Sequence, residues 1–273
     1  MDSSSSAIKI ENVWKVFGNT SKDALDAIQN QGISKTEALE EYNSVIGVSD
    51  VSFDVKQGEI FCVMGLSGSG KSTLVRHINR LLEPTSGQII WRGSEGRNPS
   101  RFQAMVFQRP VMLRRSVRAN IDFALSLRKF PSGVRRKRID EVLSRCGLGQ
   151  FSKTPARVLS FGEQQRLAMA RSWALEPQVL FLDEPTANLD PSATHAIEEL
   201  IRGMSRDGRK VIMCTHDLDQ ARRLAEEIIF LHRGRMLEKS SANQFLQAPK
   251  TSFAKAFLKG ELLWWDRREL TPP

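Results

Sequence analysis

The stretch GLSGSGKS, residues 65–72, is the most informative part of this sequence. It follows an apolar run, IFCVM, and leads into a helical pattern, STLVRHINRLL, as the phosphate-binding pattern G-x-x-x-x-G-K-[ST] requires. Glycines let such a backbone curl so that N–H groups point inward at phosphate oxygens, and the helix N-terminus adds its positive dipole end. A glycine-rich turn without a ligand is the alternative, but the combination of strand, loop, lysine and helix favours phosphate binding.

Two side chains of this loop carry specific chemistry. Lys71 can reach the β- and γ-phosphates of a nucleotide as a point charge, and the Ser72 hydroxyl can bind Mg²⁺. The candidate nucleotide-binding residues of the segment are Gly65, Leu66, Ser67, Gly68, Ser69, Gly70, Lys71, Ser72 and Thr73.

A second run, VLFLDEP at 179–185, supplies acidic residues at the end of a buried strand. Ligands of open α/β sheets bind at the carboxyl ends of the strands. We therefore predict that Asp183 holds the Mg²⁺ shell and that Glu184 polarises an attacking water. Two acids after a strand can also cap a helix, but a phosphate loop in the same chain favours the metal and water roles.

Short apolar runs and helical periodicities alternate along the chain, which predicts an α/β fold. Strands are predicted at 8–17, 48–56, 59–65, 88–93, 104–108, 179–185 and 210–216, with a hairpin at 227–239. Helices are predicted at 23–30, 35–43, 72–82 and 194–204 and in the C-terminal tail. We expect a Gln57-Gly58 turn, a loop at 93–100 and, from 109 to 175, helices broken at Pro131–Gly133 and Gly147–Pro155. For the helix predicted at 35–43, Thr36 and Leu39 do not form a strong N-terminal cap.

The composition indicates a soluble globular protein, since 40% of the 273 residues are hydrophobic and 26% are charged. No run approaches the ~18–20 apolar residues that span a bilayer, and the N-terminus lacks the apolar region of a signal peptide. Cys62, Cys146 and Cys214 are far apart, so we expect reduced and mostly buried thiols rather than disulfides or a zinc site.

The formal charge of +9 is concentrated from Arg109 to Arg138, where Asp122 is the only acid. A basic stretch of this kind is typical of contact with anionic lipid headgroups or with nucleic acid. We favour the lipid interpretation and do not expect nucleic acid as a partner.

Five motifs in a fixed order resemble those of the nucleotide-binding subunits of ABC transporters. They are GLSGSGKST, Gln108 in VFQRP, LSFGEQQR at 159–166, LFLDEPTANLD, and His216 in CTHD. The resemblance covers essentially the whole chain and implies an α/β P-loop NTPase core with a mixed sheet, an inserted α-helical subdomain, and ATP with Mg²⁺ as cofactors. It also implies one ABC ATP-binding domain over 1–273, with a core at 1–108 and 176–273 and a helical subdomain at 109–175.

The resemblance assigns roles residue by residue. Phe17 matches the aromatic that stacks on adenine, although a core phenylalanine is the alternative. Gln108 would contact Mg²⁺ and the attacking water, Glu184 would be the catalytic carboxylate, and His216 would sense the γ-phosphate. Ala187–Asp190 match a loop that communicates between two ATP sites.

The segment LSFGEQQR has two interpretations. Ser160 and Glu163 fit a capping box before a helix, which alone explains the pattern. The same helix start exposes N–H groups, and the resemblance implies that Ser160, Gly162 and Glu163 grip the ATP of a second copy. Phe161 stands where family members mostly have glycine, so we expect looser closure.

The cargo is open. Residues 1–87 resemble glycine betaine, choline and proline importer ATPases, whereas 88–273 resemble tungstate-type oxyanion importers. Betaine-type ATPases often carry a C-terminal regulatory domain, and because the chain stops at Pro273 we do not expect osmotic gating by one.

The resemblance also implies partners and a location. The partners are a second copy, membrane permease subunits and, indirectly, a periplasmic or lipid-anchored substrate-binding protein. The location is peripheral, at the cytoplasmic face of the inner membrane.

Two alternatives remain. A soluble ABC-type ATPase acting on nucleic acid or the ribosome would usually carry a long coiled coil or two cores, neither of which this sequence shows. An inactive regulatory subunit is supported only by Phe161.

Overall fold

The computed structural model of the protein describes residues 6–56, 60–92 and 102–261. The chain divides into two compact units. Unit 1 comprises Met1–Gln57, Cys62–Gly93 and His216–Pro273, and unit 2 comprises Gly58–Phe61 and Ser94–Thr215. The subdomain bounds expected at 109–175 stay a prediction, and the expected turn at Gln57-Gly58 and the loop at 93–100 lie outside the described residues.

Within the described ranges the strands and helices follow one another along the chain. The strands are β1 (Ser6–Phe17), β2 (Val45–Lys56), β3 (Ile60–Met64), β4 (Ser86–Trp91), β5 (Gln103–Val106), β6 (Val179–Asp183), β7 (Lys210–Thr215), β8 (Glu227–His232) and β9 (Arg235–Ser241). The helices are α1 (Ser21–Asp26), α2 (Lys35–Tyr42), α3 (Lys71–Ile78), α4 (Val117–Leu127), α5 (Ser132–Arg145), α6 (Phe161–Ala174), α7 (Pro191–Arg206), α8 (Leu218–Leu224), α9 (Ala242–Gln247) and α10 (Ser252–Leu258).

In unit 1, β1 pairs antiparallel with β2 on one side and with β4 on the other. Phe17 and Val45 are partners at one end of the β1–β2 pair. The polar segment between them forms α1, one π-helical turn (Ala27–Gln31) and α2. Trp14 and Leu25 belong to one buried cluster, so burial of apolar side chains holds this segment on the sheet.

Both helices predicted in this segment are present, but the sequence reasoning missed how α2 begins. Ser34 is its N-cap, and Glu37 completes a capping box: the Glu37 amide donates to Ser34 Oγ, and the Ser34 amide donates to Glu37 Oε2. The motif is S-x-x-E, and its first residue lies two positions before Thr36. This box starts the helix at Lys35.

Unit 1 also contains the last three residues of β3, the phosphate loop, α3 and the C-terminal hairpin. β3 is buried along its whole length, and α3 ends at Ile78, four residues before the predicted end. β8 and β9 pair antiparallel as predicted. Their turn is Arg233-Gly234, and positive φ at both residues (48° and 79°) is typical of a type I′ turn.

In unit 2, β5, β6 and β7 are parallel neighbours in that order. β6 and β7 are buried throughout, which explains their continuous apolar sequences. α7 lies between them in the chain, so the predicted βαβ unit is confirmed.

From residue 109 to residue 175, unit 2 holds α4, α5 and α6. α5 ends at Arg145 and α6 begins at Phe161, so the break predicted at Gly147–Pro155 falls between two helices. α5 already begins at Ser132, within the break predicted at Pro131–Gly133, and α4 begins only at Val117. None of the helices in the described ranges has the length and apolar content needed to cross a bilayer.

Some arginines of the basic stretch have partners within unit 2. Arg118 pairs with Asp140 at 2.6 Å, and Arg135 pairs with Asp122 at 2.8 Å. The guanidinium of Arg115 lies 4.8 Å from the ring centroid of Phe123. These contacts reduce the charge that this face offers to lipid or nucleic acid.

Cys62, Cys146 and Cys214 are buried free thiols, as predicted. Burial raises the pKa of the Cys62 thiol far above its usual range and that of Cys146 to about 12. Thiols with such raised pKa values are poor nucleophiles and metal ligands.

Candidate functional site

The phosphate loop curls around the head of its own lysine. Lys71 is buried, and its Nζ donates to the carbonyl oxygens of Gly65 at 2.9 Å and Leu66 at 3.1 Å. α3 begins directly after Gly70, and this N-cap residue supplies no side-chain cap. The first-turn N–H groups and the Lys71 ammonium therefore give this end of the helix a positive potential that suits an anion.

Two glycines of the loop are required by close backbone approach. A Cβ at Gly65 would lie 2.2 Å from the carbonyl oxygen of Leu231, and one at Gly70 would lie 2.4 Å from that of Gly47. Both glycines also have positive φ, 150° and 99°. No other residue fits either position without moving the neighbouring strands.

The candidate adenine-stacking residue, Phe17, is the last residue of β1 and is 40% exposed. A Cβ built on Gly47 would lie 2.7 Å from the Phe17 ring and 3.4 Å from Cγ2 of Thr73. Phe17 and Thr73, near the start of α3, thus both lie close to Gly47. A partly exposed ring offers a face for stacking, and the adenine contact of Phe17 stays a prediction.

Sequence reasoning missed Gly47 because β2 was predicted to begin at Val48, whereas it begins at Val45. A glycine inside a strand often marks a close approach of another group, and that signal was available.

The acidic residues that follow β6 lie in unit 2. Asp183 is the buried last residue of the strand, and Glu184 follows it with a φ of 45°. The Glu184 amide donates to the carbonyl oxygen of Cys214 at 3.1 Å, which holds this unusual backbone. Gln108 Nε2 lies 3.2 Å from Glu184 Oε2 and donates to it. Two residues predicted to act on one water are therefore in contact.

The capping box at the start of α6 is confirmed. The Ser160 amide donates to Glu163 Oε2 at 2.8 Å, and the Glu163 amide donates to Ser160 Oγ at 3.3 Å. The side chain of Phe161, the first residue of the helix, is 38% exposed.

Gly162 and Asp190 have roles inside unit 2 that the sequence did not reveal. A Cβ at Gly162 would lie 3.0 Å from Cβ of Ala193 on α7, so a side chain would push the two helices apart. Asp190 is the N-cap of α7 and accepts from the Ala193 amide at 2.8 Å.

Gln165 also was missed. Its side chain is buried, and its Nε2 donates to the carbonyl oxygen of Phe107 at 3.4 Å, which ties α6 to the residue before Gln108. Gln165 belongs to the segment LSFGEQQR, but nothing in that segment predicts that its polar side chain is buried.

The predicted site residues divide between the units. The phosphate loop, Phe17 and His216 belong to unit 1, and His216 is exposed directly after the end of β7. Gln108, Asp183, Glu184 and the residues of the α6 cap belong to unit 2.

The predicted metal ligands form an all-oxygen set. The Ser72 hydroxyl, the Gln108 amide and the Asp183 carboxylate each offer hard oxygen atoms, which Mg²⁺ prefers. Asp183 ends a parallel strand, where α/β sheets hold ligands. The donor chemistry therefore fits Mg²⁺.

Comparison with known proteins agrees with the resemblance that the motifs indicate. The sequence model of the family described as ABC transporter matches residues 48–187. The chain is 35% identical over 265 residues to the glycine betaine/carnitine transport ATP-binding protein GbuA of Listeria monocytogenes serotype 1/2a (strain 10403S), covering 93% of this chain. It spans 66% of GbuA, about two thirds of that relative's length.

A second relative is the trimethylamine N-oxide transport system ATP-binding protein TmoW of Ruegeria pomeroyi (strain ATCC 700808 / DSM 15171 / DSS-3). It is 38% identical over 267 residues, covering 93% of this chain and 77% of TmoW. The betaine-type similarity expected for residues 1–87 therefore extends over nearly the whole chain, and the tungstate-type similarity of 88–273 stays a prediction.

Among solved structures, the chain resembles the dimeric ATP-binding cassette MJ0796 in a post-hydrolysis state bound to ADP and Pi. The TM-score is 0.71 at 27% identity, covering 86% of this chain and 98% of that one. This likeness confirms the predicted α/β P-loop fold.

Proposed function

Because this chain belongs to the ABC transporter family of ATPases, we propose that it binds and hydrolyses ATP to power an importer. The observation that carries this proposal is the contact between Gln108 and Glu184 in a chain that also has a complete phosphate loop. A chain with the phosphate loop but without Gln108 and Glu184 would bind nucleotide without hydrolysing it. A chain without the phosphate loop would have only a structural role.

The residues of unit 1 would hold the nucleotide. Lys71 and the N–H groups at the start of α3 would bind the phosphates, and Phe17 would stack on adenine. Ser72, Gln108 and Asp183 would hold Mg²⁺, and the ion would supply positive charge to offset that of the phosphates.

Hydrolysis would depend on Glu184. Its carboxylate would polarise a water aimed at the γ-phosphate, while the hydrogen bond from the Gln108 amide would orient that carboxylate. His216 would respond to the γ-phosphate. Positioning and charge stabilisation would supply most of the rate enhancement.

A second copy of the chain would complete each ATP site with the N-terminus of α6. Ser160, Gly162 and Glu163 stand at this helix start, where backbone N–H groups favour an anion. The dimeric, ADP- and Pi-bound form of MJ0796 supports this arrangement by analogy. Asp190, the cap of α7, would lie in the loop that links the two sites.

The cargo would be a glycine betaine- or choline-type quaternary amine. GbuA is named for glycine betaine and carnitine, and TmoW for trimethylamine N-oxide, all small molecules with a fully substituted nitrogen. A tungstate-type oxyanion is the alternative. The chain would act at the cytoplasmic face of the inner membrane with permease subunits, and with a substrate-binding protein indirectly.

Nucleotide binding is tested by Lys71→Ala. The variant should bind Mg-ATP about 100-fold more weakly, since it loses charge-assisted contacts with phosphate. Lys153→Ala, at an exposed position in unit 2, is the matched control and should bind as the wild type does. Equal affinity in Lys71→Ala and the wild type would rule out the phosphate loop as the nucleotide site.

The cargo is tested separately. Pull-down of the membrane subunits with the tagged chain, followed by uptake of labelled glycine betaine against labelled tungstate in reconstituted vesicles, distinguishes the two classes. Uptake of tungstate alone would overturn the quaternary-amine proposal.

A further inference from the structure

Lys35 connects the segment between β1 and β2 to the turn between β8 and β9. It is the first residue of α2, fixed by the Ser34–Glu37 capping box. Its side chain is partly buried, and its Nζ donates to the carbonyl oxygen of Arg233. Residues 35 and 233 are far apart in the chain, so this contact fixes tertiary structure.

The turn that Lys35 contacts is strained. Arg233 has a φ of 48°, a region that a residue with a Cβ adopts at an energetic cost. Gly234 follows with a φ of 79°. A backbone of this kind persists where neighbouring groups hold it, and Lys35 supplies one of those groups.

Gly234 in turn contacts the phosphate loop. Its amide donates to the carbonyl oxygen of Ser69 at 2.8 Å, and its own carbonyl accepts from the Ser49 amide on β2 at 2.8 Å. Its Cα lies 3.4 Å from the position that a Cβ on Gly70 would take. The turn is therefore packed against the loop at Ser69 and Gly70.

This contact sets the orientation of one peptide group. The Ser69 carbonyl and the Gly70 N–H belong to one planar trans peptide and point in opposite directions. Because Gly234 holds the Ser69 oxygen, the Gly70 N–H points away from Gly234. A loop N–H directed at the ligand is what a phosphate oxygen requires.

We propose that Lys35 is a positioning residue for the phosphate loop, acting through the Arg233-Gly234 turn. By holding the Arg233 carbonyl it keeps Gly234 against Ser69, and so keeps the Gly70 N–H directed at the nucleotide. This inference rests on the proposed function, since it assigns a role in ATP binding. It gives the segment between β1 and β2 a part in that binding.

The test compares Lys35→Met with Lys22→Met, which makes the same change at an exposed lysine of α1. Without nucleotide, amide hydrogen exchange should be faster at Ser49 and Gly234 in Lys35→Met and unchanged in Lys22→Met. The dissociation constant for a fluorescent ATP analogue should rise about tenfold in Lys35→Met, because the loop loses preorganisation.

Lys35→Arg, which keeps a cationic N–H donor, should restore most of the affinity. Unchanged exchange at Gly234 in Lys35→Met, or unchanged affinity despite faster exchange, would overturn the proposal. The exchange measurement uses no nucleotide, so it remains informative if Lys71→Ala shows that the loop is not the ATP site.

Discussion

The side-chain amide of Gln108 donates a hydrogen bond to the carboxylate of Glu184, with 3.2 Å between Nε2 and Oε2. Gln108 follows β5 and Glu184 follows β6, and these strands are parallel neighbours. Parallel strands end at the same edge of a sheet, so the two side chains meet because of the topology. The contact restricts the carboxylate that we propose as the base.

Glu184→Gln should therefore separate ATP binding from hydrolysis. Removing the base should lower the rate of phosphate release by about 10²- to 10⁴-fold while Mg-ATP still binds. A closed dimer should then accumulate, which size-exclusion chromatography with ATP measures. Glu199→Gln, at an exposed position on α7, is the control, and hydrolysis at the wild-type rate in Glu184→Gln would disprove the assignment.

Phe161→Gly should raise the fraction of ATP-driven dimer. The ring is 38% exposed at the N-terminus of α6, where a partner's nucleotide would have to approach the backbone closely. Analytical ultracentrifugation with ATP, in the Glu184→Gln background, measures the dimer fraction. Val158→Ala, which trims another exposed apolar residue nearby, should have no effect. A dimer fraction that stays the same or falls in Phe161→Gly would argue against a steric penalty.

Gly162→Ala should destabilise the fold by about 1 kcal/mol, because the added methyl meets Ala193 at 3.0 Å and α6 and α7 must shift apart. Gly133→Ala is the matched control on α5. A Cβ there meets nothing within 4 Å, and alanine favours a helix over glycine by roughly 0.5–1 kcal/mol. Urea unfolding measures both variants, and a Gly162→Ala protein as stable as the wild type would exclude the packing constraint.

Lys35 should make stability depend on pH in the alkaline range. Burial and the charges of Arg235 and Arg233 lower the pKa of Lys35 from 10.5 to about 8. His232 also faces this group, and burial, followed by the charges of Arg233 and Lys35, lowers its pKa.

Between the two pKa values of Lys35 the unfolded chain binds one more proton than the folded chain, so the free energy of unfolding rises with pH from about 8 to about 10. Lys35→Met lacks this contribution. The wild type should therefore gain stability relative to Lys35→Met as the pH rises through that range, measured by urea midpoints in a series of buffers. Parallel curves for the two proteins would show that Lys35 titrates normally.

The sequence predicted the elements that depend on local patterns. The phosphate loop, the buried runs of β6 and β7 and the Ser160–Glu163 cap each have a short signature, and each is present. The end of α3 at Ile78 was missed because the apolar pattern continues to Leu82, although Asn79 and Arg80 leave the helix.

The rest depends on residues far apart in the chain. No local pattern shows that Gly234 contacts Ser69, or that Ala193 lies against Gly162. These pairs form only when the strands and helices have packed. In a single sequence such a glycine is visible only as an interruption of the side-chain pattern of a helix or strand. The residue that packs against it cannot be identified from the sequence alone.

The pairing of Phe17 with Val45 has an evolutionary consequence. Residues 18–44 leave the sheet after Phe17 and rejoin it at Val45, and these two residues are neighbours across the strands. An insertion or deletion of this segment would therefore not shift the register of β1 against β2. Such a segment can differ in sequence without a change in either strand. If it also holds the Arg233-Gly234 turn through Lys35, a lineage can adjust its affinity for ATP without altering the phosphate loop.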